Sequence, residues 1–362
     1  MNDGRSREMS KKPLFTIILS GYQTEPYLQK ALDSVANQTF RDFEVICYVE
    51  ECTDRSLAIC QAMAEHDSRF KVATGPKSGS GGASRNYGID HASGEYAVFI
   101  DGDDWISDIL LEKLAGKLAQ TSDLDILAFA CVIVQSEDTD LSTAARQSNF
   151  TEKDTDKTFS GQDAIRRANR PDRMFYGYSW LNVCRVSFLR KYRLYQKDAL
   201  LEDFEWTTRA WFYAEKMVYM DESLYFYRNR QNSLTTKPRS QTRILFDLSE
   251  KIFPSLFEFA CTEAVPDDIL SIWGNLWFSL LYWYMFHPIT SKSISDEDRK
   301  RAFDSLFSGK GREHYLQILP HVSFPKRFSA PFILLAAKGF QFPAKVYFRM
   351  LYYPLIARRN SK

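Results

Sequence analysis

The chain has 362 residues, and its 47 Lys and Arg residues against 46 Asp and Glu residues leave a formal net charge of +1, without the basic field that nucleic-acid binding requires. This length is enough for a sizeable core and for two domains, or for one domain with a large appendage. Six scattered cysteines form no CxxC pair, which indicates neither a zinc site nor a disulfide framework and favours a reducing cytoplasm.

The N-terminal third alternates between strand and helix patterns. A polar leader, residues 1–12, lacks the apolar stretch of a signal peptide. It is followed by a strand "LFTIIL", a helix from Pro26 to about Asn37, a strand "FEVICYV", a helix from Asp54 to about His66, a strand "FKVAT", a loop "GPKSGSGGAS", a helix to about Ala92 and a strand "YAVFI". This alternation predicts βαβ units and a mostly parallel sheet, with residues 13–105 as one nucleotide-binding half.

Three carboxylates, Asp101, Asp103 and Asp104, follow the last of these strands within the motif "DGDD". Ligands of parallel sheets bind beyond the carboxyl ends of the strands. Clustered negative charges repel one another unless a cation or hydrogen-bond donors neutralise them, and Mg²⁺ or Mn²⁺ prefers such oxygen ligands. The motif therefore predicts a metal site. The alternative is a turn that ends the strand and starts a helix from Ser107 onward.

The rest of the chain continues the α/β pattern and then becomes helical. The segment "DLDILAFACVIV", residues 123–134, predicts a further buried strand, and the polar stretch of residues 135–161 predicts a loop or a solvated edge hairpin. Beyond about Ser240 the pattern is helical and rich in aromatic residues. No uncharged apolar run reaches the ~20 residues that span a bilayer. After Glu313 the chain is aromatic and carries basic but no acidic residues.

Several segments together resemble the N-terminal half of the family 2 glycosyltransferases, which have the GT-A fold. They are "IILSGYQTEPYLQKALDSVANQTFRDFEVI", "TD" and "GGASRNYGIDHASGEYAVFIDGDDW", in this order and spacing. The resemblance is dense over residues 13–105 and extends more thinly to about Ser233. It implies an α/β, Rossmann-like catalytic domain over residues 13–235, with a nucleotide-binding half (13–105) and an acceptor half (106–235). A helical C-terminal region, residues 236–362, is expected to follow.

The resemblance implies a nucleotide-sugar donor site at the DGDD motif. Asp103 is expected to hold Mn²⁺ or Mg²⁺, with Asp104 beside it as a second metal ligand and Asp101 on the ribose or the metal. Such a metal neutralises the donor pyrophosphate as a Lewis acid. Arg85, in "ASRN", is expected near the nucleotide phosphates, since a planar guanidinium suits bidentate phosphate contact. The alternative for Arg85 is an ordinary arginine on a helix surface.

The base and the ribose are expected at the ends of the first two strands. By resemblance, Ser20 and Tyr22 support a uracil, and Tyr22 stacks on it. The alternative for Tyr22 is a half-buried tyrosine without a ligand. The family's "DDGSTD" is "VEECTD" here, so Glu50 stands where the family has an aspartate. Its carboxylate can still accept a hydrogen bond from the base or ribose, but its longer side chain shifts that contact.

The acceptor half carries "LLEDFEW", which resembles the family's ED motif ahead of a helix. By resemblance, Asp203, next to Glu202, is the general base that removes the proton of the acceptor hydroxyl in an inverting transfer. The alternative is an acidic first turn that stabilises the helix. Arg228 and Arg230, in "LYFYRNRQNSLT", are expected near the pyrophosphate together with Ser233. Their alternative is a pair of surface arginines.

Together these motifs predict an inverting, metal-dependent glycosyltransferase of surface polysaccharide or glycolipid synthesis. The expected donor is a UDP-sugar, and the expected acceptor is a saccharide or a lipid-linked saccharide. Trp180 is expected either in an acceptor platform or in the core. The basic, aromatic end of the chain predicts peripheral contact with the cytoplasmic face of a membrane, or else a packed helical subdomain. A metal-dependent nucleotidyltransferase and a non-catalytic paralogue that binds nucleotide-sugar are the alternative functions.

Overall fold

A computed structural model describes residues 12–136, 139–169, 175–230, 238–286 and 294–306, together with the single residue Glu313. The predicted leader, apart from residue 12, lies outside the described residues. So do Ser233 and the basic, aromatic segment after Glu313.

Ten strands form one mixed sheet within the described residues, in the spatial order β3-β2-β1-β4-β9-β6-β10-β5, with β7 and β8 attached at its side. The strands are β1 (Phe15–Gly21), β2 (Phe43–Glu50), β3 (Phe70–Gly75), β4 (Tyr96–Asp101), β5 (Trp105–Ile106), β6 (Ile126–Val134), β7 (Arg146–Gln147), β8 (Thr158–Phe159), β9 (Asn182–Arg185) and β10 (Met217–Arg228).

Each half of the sheet has parallel strands at its centre. Strand β1 pairs in parallel with β2 and β4, and β2 pairs in parallel with β3. In the other half, β6 and β10 are parallel. The short strand β9 joins the halves, because it pairs antiparallel with both β4 and β6. The polar stretch after β6 contributes β7 and β8 as short antiparallel edge pairings.

The α-helices of the described residues are α1 (Glu25–Ala36), α2 (Ser56–His66), α3 (Gly82–His91), α4 (Leu110–Gln120), α5 (Gly161–Ala168), α6 (Val186–Lys191), α7 (Glu202–Tyr213), α8 (Pro238–Asp247), α9 (Phe253–Thr262), α10 (Asp267–Phe286) and α11 (Asp296–Leu306). Their amphipathic spacing explains their packing. In α4, for example, Leu110, Leu114 and Leu118 recur every four residues and are all buried. A π-helical turn, Leu248–Ile252, connects α8 to α9.

The helical C-terminal region packs on the α/β part through aromatic side chains. Phe212 of α7 meets Phe259 of α9 edge to face, with ring centroids 5.3 Å apart, and also contacts Trp273 of α10. Large aromatic rings bury 150–250 Å² each and dominate such contacts. Among the described residues, even the longest helix, the 20-residue α10, lacks the combination of length and apolar character needed to cross a membrane.

The predicted architecture is confirmed: a largely parallel sheet flanked by helices is followed by a helical region. Two details differ from the sequence-based expectation. The helix after the DGDD motif begins at Leu110 rather than Ser107, because Trp105 and Ile106 first pair with β10 as strand β5. The ED motif does not precede its helix but forms the first turn of α7.

Candidate active site

The carboxyl ends of β1 and β4 lie side by side in the middle of one half of the sheet. Ser20 and Asp101 are direct partners in the parallel register, and the Ser20 hydroxyl donates to Asp101 Oδ1 at 2.9 Å. The two side chains meet because parallel neighbours end at the same edge of a sheet. The acidic motif and the side chains around it can therefore form one site at the carboxyl ends of β1 and β4.

Asp104 is buried and anchors the motif to β10. Its Oδ2 accepts the Tyr225 hydroxyl at 2.8 Å, and its Oδ1 accepts the backbone N–H of Arg228 at 2.7 Å. Burial, with the charges of Asp103 and Asp101, raises the pKa of Asp104 well above its ordinary value. Both oxygens thus have protein donors, so Asp104 holds the motif against β10.

Asp103 is the more exposed of these two neighbouring carboxylates, with 21% of its side chain accessible. Arg230 Nε donates to its Oδ2 at 2.7 Å, and Arg228 Nε donates to its backbone oxygen at 2.9 Å. Both guanidinium groups also lie over the ring of Tyr27, at 4.7 Å for Arg228 and 5.4 Å for Arg230. The structure therefore brings Asp103, Arg228 and Arg230 together, and their contact with a pyrophosphate stays a prediction.

Arg85 is the centre of a buried charge cluster. Its Nη2 donates to Asp101 Oδ1 at 2.7 Å, and its Nη1 lies 3.1 Å from both Glu202 Oε1 and Asp203 Oδ1. Burial lowers the pKa of Arg85, but the three carboxylates outweigh it and the pKa is raised above the ordinary value. Arg85 is thus no helix-surface arginine, and it joins the end of β4 to the start of α7.

Glu202 and Asp203 differ in how far their side chains are exposed to solvent. The Glu202 side chain is 9% exposed, and its Oε1 also accepts the backbone N–H of Gly81 at 3.0 Å. The Asp203 side chain is 20% exposed and has the freer approach from solvent. Burial raises the pKa of Asp203, while the Arg85 charge opposes this rise. A carboxylate with a raised pKa and an open side is suited to accept a proton.

The titration of Glu202 leads to a prediction on stability. Burial and the Asp203 charge raise its pKa from 4.5 to about 8, against the opposing charge of Arg85. Between these values the folded protein holds a proton that the unfolded chain has released, so this group makes the free energy of unfolding fall as pH rises. Relative to the wild type, Glu202→Gln should become progressively more stable over that range in urea unfolding. Glu215→Gln, at an exposed position after α7, should show no such trend. If Glu202→Gln shows no increase in stability relative to the wild type either, the raised pKa of Glu202 is contradicted.

Glu50 and Tyr22 lie beside the loop of residues 76–81, here called the Gly/Ser loop. Glu50 Oε2 accepts the backbone N–H groups of Ser78 at 3.0 Å and Gly79 at 3.3 Å, and its Oε1 accepts the Ser78 hydroxyl. Lys77 Nζ lies 5.0 Å from the centre of the Tyr22 ring. Glu50 therefore holds this loop with both oxygens, and its contact with a base or ribose stays a prediction.

Three further side chains, Gln196, Tyr225 and Trp180, lie around the carboxylates of the two motifs. Gln196 is buried, and its Oε1 accepts Arg85 Nη1 at 3.1 Å. Tyr225 orients Asp104 from a strand more than 100 residues away. Trp180 is 2% exposed and stacks on Tyr225 with ring centroids 4.4 Å apart, so it belongs to the core rather than to an open platform. Gln196 stands in no recognisable motif, and Tyr225 lies in the segment "LYFYRNRQNSLT" without a role having been predicted for it. The fold brings both to the site.

The carboxylates fit a metal shared with a ligand, not one enclosed by protein. Among the residues that the structure describes, no three Asp, Glu, His or Cys side chains converge as a ready metal cage. Mg²⁺ is usually held by one or two carboxylates together with phosphate oxygens and waters. Asp103, with its partly exposed carboxylate, suits such an arrangement, whereas Asp104 is occupied by Tyr225 and Arg228.

Comparison with known proteins identifies the family of the N-terminal half of the chain. Residues 16–192 match the sequence model of the family described as Glycosyl transferase family 2. The "Uncharacterized glycosyltransferase EpsJ" of Bacillus subtilis is 30% identical over 227 residues, which are 62% of this chain and 64% of that protein. The "Poly(ribitol-phosphate) beta-N-acetylglucosaminyltransferase TarS" of Staphylococcus aureus is 24% identical over 73% of this chain and 44% of its own length. The chain thus spans less than two thirds of both relatives.

The fold comparison covers the helical region as well. The crystal structure of the S. aureus TarS fragment 1-349 in complex with UDP-GlcNAc superposes with a TM-score of 0.71 at 21% sequence identity, over 92% of this chain and 91% of that one. The shared architecture is the GT-A-type sheet followed by helices. With the family match over residues 16–192 and the ordered motifs from β1 to the DGDD turn, this part of the chain is identified as a family 2 glycosyltransferase domain.

Proposed function

We propose that this protein is an inverting glycosyltransferase that moves a sugar from a nucleotide-diphosphate donor to a saccharide or lipid-linked acceptor. The observation that carries the proposal is the cluster around Arg85, which joins Asp101, at the expected donor edge, to Glu202 and Asp203, at the expected acceptor side. The family 2 match over residues 16–192 and the similarity to glycosyltransferases support this assignment. Synthesis of a cell-surface polysaccharide or glycolipid is the proposed setting, and the name of TarS, a poly(ribitol-phosphate) beta-N-acetylglucosaminyltransferase, gives a polymeric acceptor.

The reaction we propose is a single displacement in which Asp203 is the general base. The acceptor hydroxyl oxygen attacks the anomeric carbon from the face opposite the nucleotide, and the bond from that carbon to the diphosphate oxygen breaks. Asp203 takes the hydroxyl proton as the new bond forms, which such a positioned carboxylate does at a gain of about 10²–10⁴-fold. Arg85 keeps Asp203 in place and ionised. One displacement inverts the anomeric centre and requires no covalent enzyme intermediate.

The leaving diphosphate is proposed to lie against Asp103, Arg228 and Arg230. The two guanidinium groups would hold phosphate oxygens through charge-assisted hydrogen bonds. Asp103 would hold Mn²⁺ or Mg²⁺ jointly with the diphosphate, and the bound cation would supply Lewis-acid stabilisation of the leaving group. The predicted contact of Arg85 with the phosphates remains a prediction, since its Nη atoms point to protein acceptors here.

A UDP-sugar is the proposed donor, and UDP-GlcNAc is the first one to test, because TarS was crystallised with it. Ser20 and Tyr22 are proposed to face the base. A cytoplasmic location, with the C-terminal basic segment touching the inner face of a membrane, is the proposed setting. That segment lies outside the described residues, so the membrane contact stays a prediction from composition.

Thermal unfolding with UDP, GDP, CDP or ADP, each with Mn²⁺ or with EDTA, tests the donor site. UDP with Mn²⁺ is expected to stabilise the protein by about 2.7 kcal/mol at a concentration 100 times its Kd, since a ligand of the folded state stabilises by mass action. Asp103→Ala should abolish this shift, and Asp108→Ala, at an exposed position of the same segment, should keep it. If no diphosphate stabilises the wild type, the proposed function fails.

A further inference from the structure

The helical C-terminal region contacts the loop that leads into the ED motif, residues 192–201, here called the pre-α7 loop. Asp247, the last residue of α8, is buried, and its Oδ2 accepts the backbone N–H of Leu200 at 2.9 Å. Arg243 Nε donates to the same oxygen at 3.2 Å, and Lys251 Nζ lies 3.1 Å from Oδ1. One carboxylate thus ties the backbone of the pre-α7 loop to two cations of the C-terminal region.

The backbone at this point needs an external restraint. Leu201 has φ +67° and ψ 25°, the left-handed conformation that a leucine rarely adopts. Such a residue costs about 1–3 kcal/mol and persists only where its surroundings impose it. Leu201 separates the Asp247 contact at Leu200 from Glu202 and Asp203. The direction in which α7 begins, and hence the place of the Asp203 carboxylate, depends on this one turn.

The same region also contacts the Gly/Ser loop. Gly79 has φ +84°, and a Cβ built on it would lie 2.3 Å from Arg243 Nη1, so the guanidinium rests directly on this glycine. The Ser80 hydroxyl donates to Asp198 Oδ1 at 3.4 Å, and Lys251 Nζ donates to the Asp198 backbone oxygen at 2.6 Å. The end of α8 and the turn after it therefore hold the donor-side loop and the acceptor-side loop against each other.

We propose that Asp247 is a positioning residue for the transfer reaction. By accepting the Leu200 N–H, and with Arg243 held between Asp247 and Gly79, it sets the left-handed turn that directs Asp203 to the acceptor hydroxyl. The helical C-terminal region is thereby part of the active site and not a separate appendage. This inference rests on the proposed function for the role of Asp203, but the placement of the loop can be measured without any substrate.

Three variants of the full chain separate positioning from simple stabilisation. Asp247→Ala removes the acceptor for the Leu200 N–H. Asp247→Asn keeps an oxygen at the place of Oδ2, for both Leu200 and Arg243, and loses the negative charge that pairs with Arg243 and with the half-exposed Lys251. Asp154→Ala is the matched control. Asp154 is equally buried, accepts the Thr151 N–H at 3.0 Å and pairs with Arg167 at 2.7 Å.

The first measurement is hydrogen exchange of the three variants and the wild type. In Asp247→Ala, peptides covering residues 196–205 and 77–82 should exchange faster, while the β1 peptide keeps its wild-type rate. Asp247→Asn should stay close to the wild type, and Asp154→Ala should change neither segment. If Asp247→Ala keeps wild-type protection at residues 196–205, the proposal is overturned.

The second measurement is the rate of UDP release from UDP-GlcNAc in the presence of Mn²⁺, which gives kcat and the KM for the donor. Asp247→Ala is expected to lower kcat about 100-fold, the effect of a misplacement of roughly 1 Å, with little change in KM. Asp247→Asn should have most of the wild-type kcat. Asp154→Ala should have the wild-type kcat even where it loses as much thermal stability as Asp247→Ala. A loss of kcat no larger in Asp247→Ala than in Asp154→Ala contradicts positioning. If the wild type releases no UDP, the donor assignment fails, and the exchange result alone decides where Asp247 acts.

Discussion

Asp203→Asn is expected to lower the rate of sugar transfer by about 10²–10⁴-fold and to leave the Kd for UDP nearly unchanged. The asparagine keeps the shape of the side chain and can still accept from Arg85 Nη1, which lies 3.1 Å from Oδ1 in the wild type. It cannot take up the acceptor proton at neutral pH. The loss should therefore appear in kcat, measured as UDP release in the presence of acceptor, and not in the binding of the nucleotide.

The matched control tests the alternative that Asp203 only stabilises the first turn of its helix. Asp268 is likewise an acidic residue in the first turn of a helix, α10, and its side chain is 55% exposed. Asp268→Asn should affect stability through the helix dipole by no more than about 1 kcal/mol and leave kcat as in the wild type. Equal kinetics of Asp203→Asn and Asp268→Asn would refute the general-base role.

Arg85→Met is expected to lower the free energy of unfolding by about 3–5 kcal/mol, because it leaves buried carboxylates without their cation. Its side chain is 4% exposed in the wild type and lies against Asp101, Glu202 and Asp203. Methionine fills a similar volume but forms none of the ion pairs that Arg85 makes with these carboxylates. Urea unfolding at neutral pH measures the loss, and UDP release should fall with it, since Asp203 loses the group that orients it.

Arg166→Met provides the surface comparison for this measurement. Arg166 pairs with Asp163 and Asp268 at exposed positions, so its removal should cost about 1 kcal/mol or less. The contrast between the two variants isolates the effect of burial, because each removes one arginine from a set of carboxylates. A loss in Arg85→Met as small as that in Arg166→Met would show that the cluster is hydrated and not a closed unit.

Local sequence patterns were sufficient to predict most elements of the N-terminal half and the strand end at which the site lies. The alternation from β1 to β4, and the run of apolar residues in β6, predicted these five strands, which the structure contains. The place of Asp101 at the end of a strand was predicted, whereas its register with Ser20 of β1 came from the structure. The join between the two halves of the sheet was not predictable in this way. Strand β9 has four residues and pairs antiparallel with both neighbours, and nothing in so short a segment specifies its partners.

The sequence by itself determined the α/β class, the acidic motif at a strand end and the ED motif, because these depend on periodicity and on spacing along the chain. Only the tertiary structure decided which groups meet. Arg85 reaches Asp203 across 118 residues, and Asp247 reaches Leu200 across 47. The same geometry buried Asp104 against Tyr225 and turned Glu50 towards the Gly/Ser loop. Such contacts depend on how whole elements pack, and short-range propensity carries no record of that packing.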